Sequence, residues 1–263
     1  VRNDSDLPVL LLDGEEMRGA KQNRIVNTTI LVAAKSELVI PVSCTEAGRW
    51  HFNSPAFQES GNVLSPKMRS SKLERVNDSL RSNRGYDANQ SVVWNEISNL
   101  QVSHQIHSGT SAMHDVFTGL APKLEELSSH FPCLEGQCGI YVEVNGKFAG
   151  LDLLSLPAVW KDVHAKIIRS YAIDFLREAE STQKHPGANP DAVFKEICAG
   201  KSFAGRSVGL GEDHRFETET LLASALYHEK SIIHLAAYPR AEHEERAEDF
   251  TPRRRRVHAE RII

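Results

Sequence analysis

The first candidate site is a cluster of charged and amide side chains near the start of the chain, beside segments typical of β-strands. It contains Asn23 and Arg24, followed by Glu46, Arg49 and Trp50. An arginine can hold a phosphate or a carboxylate through two parallel hydrogen bonds, and a tryptophan ring offers a face on which a base can stack. The same residues also fit an internal Arg–Glu pair that joins two strands, with Trp50 in the core. Both interpretations are open at the level of the sequence.

A second candidate is the segment Ser108-Gly109-Thr110-Ser111, directly before a predicted helix. Small hydroxyl residues and a glycine at a helix N-terminus can present backbone N–H groups to an anion, and the helix dipole adds to the attraction. Ser108 and Thr110 are therefore candidate phosphate contacts. However, the spacing is not that of a Walker A loop, and the lysine of that motif is missing. Ordinary N-capping by Thr110 or Ser111 explains the same residues.

A third candidate is the glycine-rich stretch at 205–215. Gly209 and Gly211 permit a ligand to approach the backbone closely, and Asp213 could position that ligand. The stretch is not the dinucleotide-binding fingerprint, because no helix pattern follows it directly and the third glycine is absent. A glycine-rich turn between two strands is the alternative, and the residues favour it.

The sequence indicates neither a metal site nor a cofactor. His104, His107 and His114 have no carboxylate at the spacing of a HExxH site, and the four cysteines have no zinc-binding spacing. The neighbouring carboxylates Glu15 and Glu16 are interpreted as a solvated turn. We therefore expect no bound metal and no cofactor.

The charge balance limits the classes of partner. The chain has 31 Lys and Arg against 35 Asp and Glu, which gives a net charge of −4. No excess of positive charge is available to neutralise a nucleic-acid backbone, so we expect no nucleic-acid partner. No apolar run approaches the ~20 residues that a membrane helix needs. We expect a cytoplasmic protein that does not bind a membrane.

The elements that must position these residues begin with strands. The apolar run 8–17 is broken by Asp13-Gly14, a turn signal of the hairpin type. Residues 24–34 are rich in β-branched side chains, and 37–42 continue the β pattern. The first part of the chain therefore predicts about three to five strands.

The middle of the chain is predicted to be helical. Ser65-Pro66 is typical of an N-cap followed by proline in the first turn, and apolar side chains then recur at helical spacing until Gly85. Further helices are predicted around 93–100, 113–127, 158–180 and 191–199.

The last part of the chain returns to strands. Asn145-Gly146 between the apolar segments 139–144 and 147–154 predicts a hairpin with a type I′ turn. Additional strands are predicted at 204–211, 221–229 and 231–238.

Together these elements predict an α+β fold, in which N- and C-terminal strands form sheet structure around a helical middle. Strands at both ends suggest that the termini pair in one sheet. We expect a single compact domain over residues 1–240. From Ala241 onward acids and arginines replace apolar residues, so 241–263 is predicted to be a charged, disordered tail.

Two long segments carry a family resemblance, GAKQNRIVNTTILVAA at 19–34 and IPVSCTEAGRW at 40–50. They resemble the ARPP domain family, which is named for its association with ADP-ribosylglycohydrolases (ARG) and rhodanese-phosphatases. The resemblance runs over about residues 5–238 and excludes the tail. Shorter matching pieces follow in the expected order, at 90–94, 108–111, 208–217 and 232–238.

The resemblance implies a role in NAD and ADP-ribose metabolism. One hypothesis is a ligand-handling protein that recognises a phosphorylated nucleoside similar to ADP-ribose. The residues leave open whether it is an enzyme; hydrolysis of a glycosidic or phosphoester bond, with Glu46 as acid/base, is the reaction they fit best. The alternative is a non-catalytic interaction module that regulates an associated ADP-ribose-processing enzyme. In that case the polar cluster would be paired internally or covered by the partner.

Overall fold

Five helices and fourteen strands make up the described part of the chain, which the computed structural model gives as residues 1–49, 52, 54–178 and 189–240. The helices α1 to α5 span, in chain order, Pro66–Arg81, Gln90–His104, Met113–Ser129, Pro157–Glu178 and Pro190–Ala199. The strands β1 to β14 span Arg2–Asn3, Val9–Leu11, Glu15–Arg18, Arg24–Val26, Ile30–Val32, Ser36–Glu37, Val42–Cys44, Gln58–Val63, Gly139–Val144, Lys147–Leu154, Lys201–Arg206, Glu212–Glu217, Leu221–His228 and Ser231–Pro239. The tail predicted at 241–263 lies outside the described residues.

The strands form one large sheet and three small ones. The large sheet has six antiparallel strands in the order β11-β12-β13-β14-β10-β9, all from the second half of the chain. The N-terminal strands form a four-stranded sheet, β7-β4-β3-β8, and the pairs β1-β6 and β2-β5. The predicted α+β class is confirmed. The expectation that the two ends of the chain pair in one sheet is wrong, because N- and C-terminal strands belong to separate sheets.

Local sequence signals placed most of the elements correctly. The β9–β10 hairpin turns at Asn145 and Gly146, which have φ angles of 51° and 78° as a type I′ turn requires. Ser65 caps α1 by accepting a hydrogen bond from the Met68 N–H, and Pro66 is the first helical residue. None of the helices in the described part of the chain is long and apolar enough to cross a membrane.

Two turns differ from the prediction. Asp13-Gly14 does not close a hairpin, because β2 pairs with β5 whereas β3 pairs with β4 and β8. The strand predicted at 204–211 is in fact the end of β11 and the turn that leads into β12. Gly209 allows this turn to lie against β5, since a Cβ there would be 2.2 Å from the Leu31 carbonyl oxygen.

A buried ion pair between α1 and the large sheet lies at the centre of the molecule. The two terminal guanidinium nitrogens of Arg69, Nη1 and Nη2, donate to Asp152 of β10 at 2.8 Å, and the two side chains are 1% exposed. The Tyr171 hydroxyl donates to the same carboxylate at 2.8 Å, and His234 Nε2 lies 3.2 Å from it. Burial by itself raises the pKa of Asp152, but the Arg69 charge and the hydrogen bonds outweigh it and lower the pKa to about 2.

Further buried polar side chains extend this pair into what we call the core network. His234 Nδ1 lies 2.7 Å from the Thr29 hydroxyl, which also accepts from the Asp13 N–H at 3.2 Å. Asp13 in turn forms an ion pair with Lys72 of α1. These contacts connect the N-terminal strands to the large sheet through side chains instead of through a shared main-chain ladder.

A second buried ion pair completes the core network. Arg215 of β12 donates to both oxygens of Asp213, at 2.8 and 2.6 Å, and also to the Thr28 hydroxyl at 2.7 Å. Desolvation alone lowers the pKa of Arg215, but the Asp213 charge and hydrogen bond raise it. The charged members of the core network are therefore three cations and three anions, namely Arg69, Lys72, Arg215, Asp13, Asp152 and Asp213.

We predict that Asp152→Asn destabilises the fold strongly. The amide keeps the shape of the side chain but leaves the Arg69 charge buried without a counter-ion, which typically costs about 3–5 kcal/mol. Urea unfolding at pH 7 measures the effect. Asp78→Asn is the matched control, because its pair with Arg81 is half exposed and should contribute less than ~1 kcal/mol. Equal unfolding midpoints for the Asp152 variant and the wild type would contradict the prediction.

The same pair predicts an acid-dependent loss of stability. The folded-state pKa of Asp152 is about 2, below its ordinary value of 3.8. The stabilisation is therefore complete above pH 4 and is lost as the pH falls toward 2; it amounts to about 2 kcal/mol. Urea unfolding of the wild type should show this loss, and the Asp152→Asn difference should shrink over the same pH range. A difference that stays constant down to pH 2 would exclude Asp152 as its source.

Candidate functional site

The loop that follows β7 contains a buried pair between Glu46 and Arg49. Arg49 Nε donates to Glu46 Oε2 at 2.8 Å, and Nη2 lies 2.7 Å from the same oxygen. Gly48 lets the loop approach the segment before α3, where the Gly48 N–H donates to the Thr110 carbonyl at 2.8 Å. Two members of the predicted cluster, Glu46 and Arg49, therefore contact each other, and they are 5% and 7% exposed.

The remaining groups of this cluster are also used internally. Glu46 Oε1 accepts from the Thr110 hydroxyl at 2.8 Å, and Glu46 Oε2 accepts from the Asn23 N–H at 3.3 Å. Arg49 further donates to the Ala20 carbonyl at 2.9 Å and to Asn23 Oδ1 at 3.1 Å. The structure therefore brings Asn23, Glu46, Arg49 and Thr110 together and satisfies them with one another.

The electrostatics of Glu46 bear on the acid–base role expected from the sequence. Burial by itself raises the pKa of Glu46, but hydrogen bonds from Arg49 and Thr110 outweigh it, and the pKa is lowered. A carboxylate held ionised in this way is a poor proton donor at neutral pH. The geometry favours a structural role for Glu46 over a catalytic one.

Arg24 is not part of this pair. Directly paired residues of neighbouring strands face the same side, so Arg24 shares a face with Met17, opposite to Ile25. Arg24 is half-buried and donates to the sulfur of Cys44. Trp50 lies outside the described residues.

The hydroxyl of Ser108 makes hydrogen bonds that hold the segment before α3 in place. Its hydroxyl oxygen accepts from the N–H groups of Thr110 and Ala112, at 3.4 and 2.9 Å, and its hydroxyl donates to Asp115 at 2.5 Å. The helix begins at Met113, whose N–H donates to the Thr45 carbonyl at 2.9 Å. Capping of α3 by Thr110 or Ser111, the alternative expected from the sequence, is wrong. Several of the donors expected to face a phosphate are used within the protein.

Gly209, Gly211 and Asp213 lie in a different part of the fold. The two glycines belong to the turn between β11 and β12, whose Leu210 N–H donates to the Leu31 carbonyl at 2.8 Å. Asp213 is 6% exposed and is the partner of Arg215 in the core network. The structure thus divides the sequence-predicted ligand contacts between two places and favours the turn interpretation for 209–211.

Glu16 is a functional candidate that the sequence interpretation missed. The sequence predicts that Glu15 and Glu16 form a solvated turn; this is wrong because both are buried. Adjacent residues of a strand face opposite sides of the sheet. Glu15 forms an ion pair with Lys166 of α4, and Glu16 therefore faces the side of the sheet opposite to Lys166. The apolar neighbours Leu12 and Met17 were the sequence signal for a buried strand at this position.

Glu16 and His114 form a carboxylate–imidazole pair. Glu16 is fully buried, and its oxygens accept from the Thr45 hydroxyl at 3.0 Å and from the Asn62 amide at 3.4 Å. His114 Nδ1 lies 3.7 Å from Glu16 Oε2 and 3.1 Å from the Asn62 amide nitrogen. The His114 side chain is 21% exposed, so a ligand can reach it. The described residues contain no group of three or more metal-ligating side chains.

The comparison with protein families agrees with the resemblance. The family model described as "ARG and Rhodanese-Phosphatase-superfamily-associated Protein domain", ARPP-1, matches residues 1–238. The chain belongs to the ARPP-1 family. No curated protein and no solved structure matches the chain.

The segments that carry the ARPP-1 resemblance converge in three dimensions. The segment 19–34 supplies Thr28 and Thr29 to the core network, the segment 208–217 supplies Arg215, and the segment 232–238 supplies His234. The remaining long segment, 40–50, contains the Glu46–Arg49 pair. Many residues in the segments that carry the ARPP-1 resemblance therefore form buried polar contacts.

We predict that Arg49→Met destabilises this ARPP-1 domain by about 3–5 kcal/mol at pH 7, because it leaves Glu46 buried without its cation. Chemical unfolding measures the loss. Arg24→Met is the matched control: it removes an arginine of β4 that is only half-buried, so the change should be much smaller.

The pH dependence of that difference identifies its source. Since the folded-state pKa of Glu46 is lowered, its stabilisation is present above the ordinary pKa of 4.5 and is lost as the pH falls below it. The difference between Arg49→Met and the wild type should therefore shrink in acid. If the variant instead keeps wild-type stability at pH 7, Arg49 is not a structural residue and is available for a ligand.

Proposed function

We propose that this ARPP-1 domain handles a phosphorylated nucleoside similar to ADP-ribose, and that the ligand contacts His114 at the start of α3. The observation that carries the proposal is the pairing of a ligand-accessible imidazole with the fully buried carboxylate of Glu16, at 3.7 Å. The association of the family with ARG supplies the class of ligand. Cytoplasmic location remains part of the proposal.

The position of His114 favours an anionic ligand. It is the second residue of α3, a helix of 17 residues, and the N-terminus of a helix carries a partial positive charge. A phosphate oxygen placed there accepts from an imidazole N–H and is stabilised by the helix dipole. Ser108 and Thr110 would then position α3 through their internal hydrogen bonds, while Trp50 stays a proposed stacking partner for the base.

The Glu16–His114 pair can also support catalysis. The His114 imidazole would act as general acid or base toward the ligand, with the Glu16 carboxylate 3.7 Å from its Nδ1 atom. Hydrolysis of a glycosidic or phosphoester bond is the reaction class that fits this pair and an ADP-ribose-like substrate. In this proposal the acid–base role expected for Glu46 passes to Glu16 and His114.

A second candidate function is an interaction module that regulates an associated ADP-ribose-processing enzyme. The internal pairing of Glu46 and Arg49 is what this alternative expects of the polar cluster. In that case His114 and its neighbours belong to a surface that the partner covers.

Calorimetric titration with ADP-ribose tests the proposed function. We expect the wild type to bind, and we expect His114→Ala to weaken binding by roughly 10- to 100-fold, the loss of one charge-assisted hydrogen bond. His107→Ala is the matched control, because it removes an exposed histidine from the segment before α3. Unfolding curves of both variants should stay close to the wild type.

The outcomes separate the two functions. A wild type that binds none of NAD, ADP-ribose, AMP or ribose phosphates, and that instead associates with an ADP-ribosylglycohydrolase, supports the interaction module. If ADP-ribose binds with equal affinity to the wild type and to His114→Ala, the ligand lies elsewhere and the assignment of the site is wrong.

A further inference from the structure

The side chain of Asn62 lies between the two members of the carboxylate–imidazole pair. Its amide nitrogen is 3.4 Å from Glu16 Oε2 and 3.1 Å from His114 Nδ1, and Asn62 is 7% exposed. The Glu16 carboxylate and the His114 ring are 3.7 Å apart, which is too long for a hydrogen bond of their own. The hydrogen-bonded connection between them therefore runs through the amide of Asn62.

A β-bulge brings Asn62 to this position. β3 and β8 shift register at Glu16, so that this single residue stands opposite residues 60–62 of β8. Gly61 has a φ angle of 75°, which lets the extra residues leave the regular ladder. Bulges redirect side chains, and here the redirected side chain contacts both β3 and α3.

The Glu16 carboxylate determines how the amide of Asn62 is oriented. A carboxylate only accepts hydrogen bonds, and Glu16 Oε1 already accepts from the Thr45 hydroxyl at 3.0 Å. With the NH₂ group of Asn62 toward Glu16, each of its two hydrogens has an acceptor, one on Glu16 and one on His114. The opposite orientation would place the amide oxygen beside a carboxylate oxygen with no hydrogen between them, which is unfavourable.

The orientation of the amide in turn determines the tautomer of His114. A neutral imidazole carries its proton on one ring nitrogen and accepts at the other. Because Nδ1 accepts from the Asn62 amide, the ring proton is on Nε2. The Nε2 atom makes no hydrogen bond within the described part of the chain and is open to solvent. A ligand can therefore reach an N–H donor at this position.

We infer that Asn62 is a positioning residue that holds His114 as the Nε2–H tautomer, so that the ring meets the ligand as a hydrogen-bond donor. The inference rests on the proposed function for the identity of the ligand, and it narrows the role of His114. The accepting nitrogen faces Asn62 and is not available to remove a proton from the ligand. The ligand group at Nε2 is an acceptor, and in an ADP-ribose-like ligand it is a phosphate oxygen.

The first measurement is the tautomer of His114 in ¹⁵N-histidine-labelled full-length protein without ligand. At about pH 8.5, well above the ordinary histidine pKa of about 6.5, the unprotonated ring nitrogen resonates far downfield of the protonated one. The His114 signals are those that disappear in His114→Gln. We expect Nε2 to carry the proton in a single tautomer, in contrast to the mixture that a solvated histidine shows.

The second measurement uses Asn62→Ala. Without the amide, Nδ1 faces the Glu16 carboxylate, an acceptor 3.7 Å away, and we expect the ring proton to move to Nδ1. The calorimetric affinity for ADP-ribose should then fall at least tenfold, because Nε2 presents a lone pair to the phosphate and the charge-assisted hydrogen bond is lost.

Asn77→Ala is the matched control. Asn77 of α1 is buried and donates to Glu217 at 2.7 Å, so its loss also lowers stability. A purely structural effect would be shared by the two variants. We expect the tautomer of His114 to change in Asn62→Ala alone.

Three results would overturn the inference: a wild type whose His114 carries its proton on Nδ1 or shows a mixture, an Asn62→Ala variant with the wild-type tautomer, and equal affinity of Asn62→Ala and the wild type for ADP-ribose. If Asn62→Ala does not fold, the tautomer of the wild type decides the question by itself. Failure of the proposed function is distinct. A wild type that shows the Nε2–H tautomer, loses it in Asn62→Ala and binds no ADP-ribose contradicts the proposed ligand, while it supports Asn62 as the residue that positions His114.

Discussion

The bidentate pair between Arg69 and Asp152 is the interaction on which the rest of this fold depends. Two opposite charges without solvent access are tolerated only if their geometry is good and their remaining hydrogen-bonding capacity is used. Tyr171 and His234 meet part of that demand at the carboxylate, and each comes from a different element. The pair therefore constrains where α4 and β14 can lie relative to α1.

The same constraint explains how short N-terminal strands are held in place. Several of these strands have only two or three residues, and a ladder of that length contributes few hydrogen bonds. Their side chains instead reach into the core network, Thr29 to His234 and Asp13 to Lys72. The presence of these polar residues in the segments that carry the family resemblance is therefore explained by their role in the fold, without reference to a ligand.

This use of polar residues changes how a candidate site should be recognised in this family. Arg49 and Glu46 have the chemistry of a phosphate clamp and an acid–base residue, yet each satisfies the other. Polar groups whose hydrogen-bonding capacity is not fully used within the protein are better indicators of a ligand site. His114 is such a group, because its Nε2 atom makes no hydrogen bond within the described part of the chain and is open to solvent.

Local sequence was sufficient for the elements whose formation depends on neighbouring residues. The positive φ angles available to Asn145-Gly146 determine the β9–β10 turn, and the Ser65 hydroxyl next to Pro66 determines the start of α1. Helical periodicity of apolar residues likewise identified the long helices. The prediction was wrong at Asp13-Gly14, which joins strands of two different sheets. The same pair of residues also forms hairpin turns within one sheet, so the local sequence does not distinguish the two cases.

Only the tertiary structure decided which charged groups meet. The Glu46–Arg49 pair could be proposed from its short spacing, but Thr110 at the other carboxylate oxygen could not. Glu16 and His114 are far apart in the chain and face each other because β3 packs near the start of α3. The physical reason is that ion pairing, burial and hence pKa depend on distances in space. The sequence by itself determined which groups are available, whereas packing determined which of them are already satisfied.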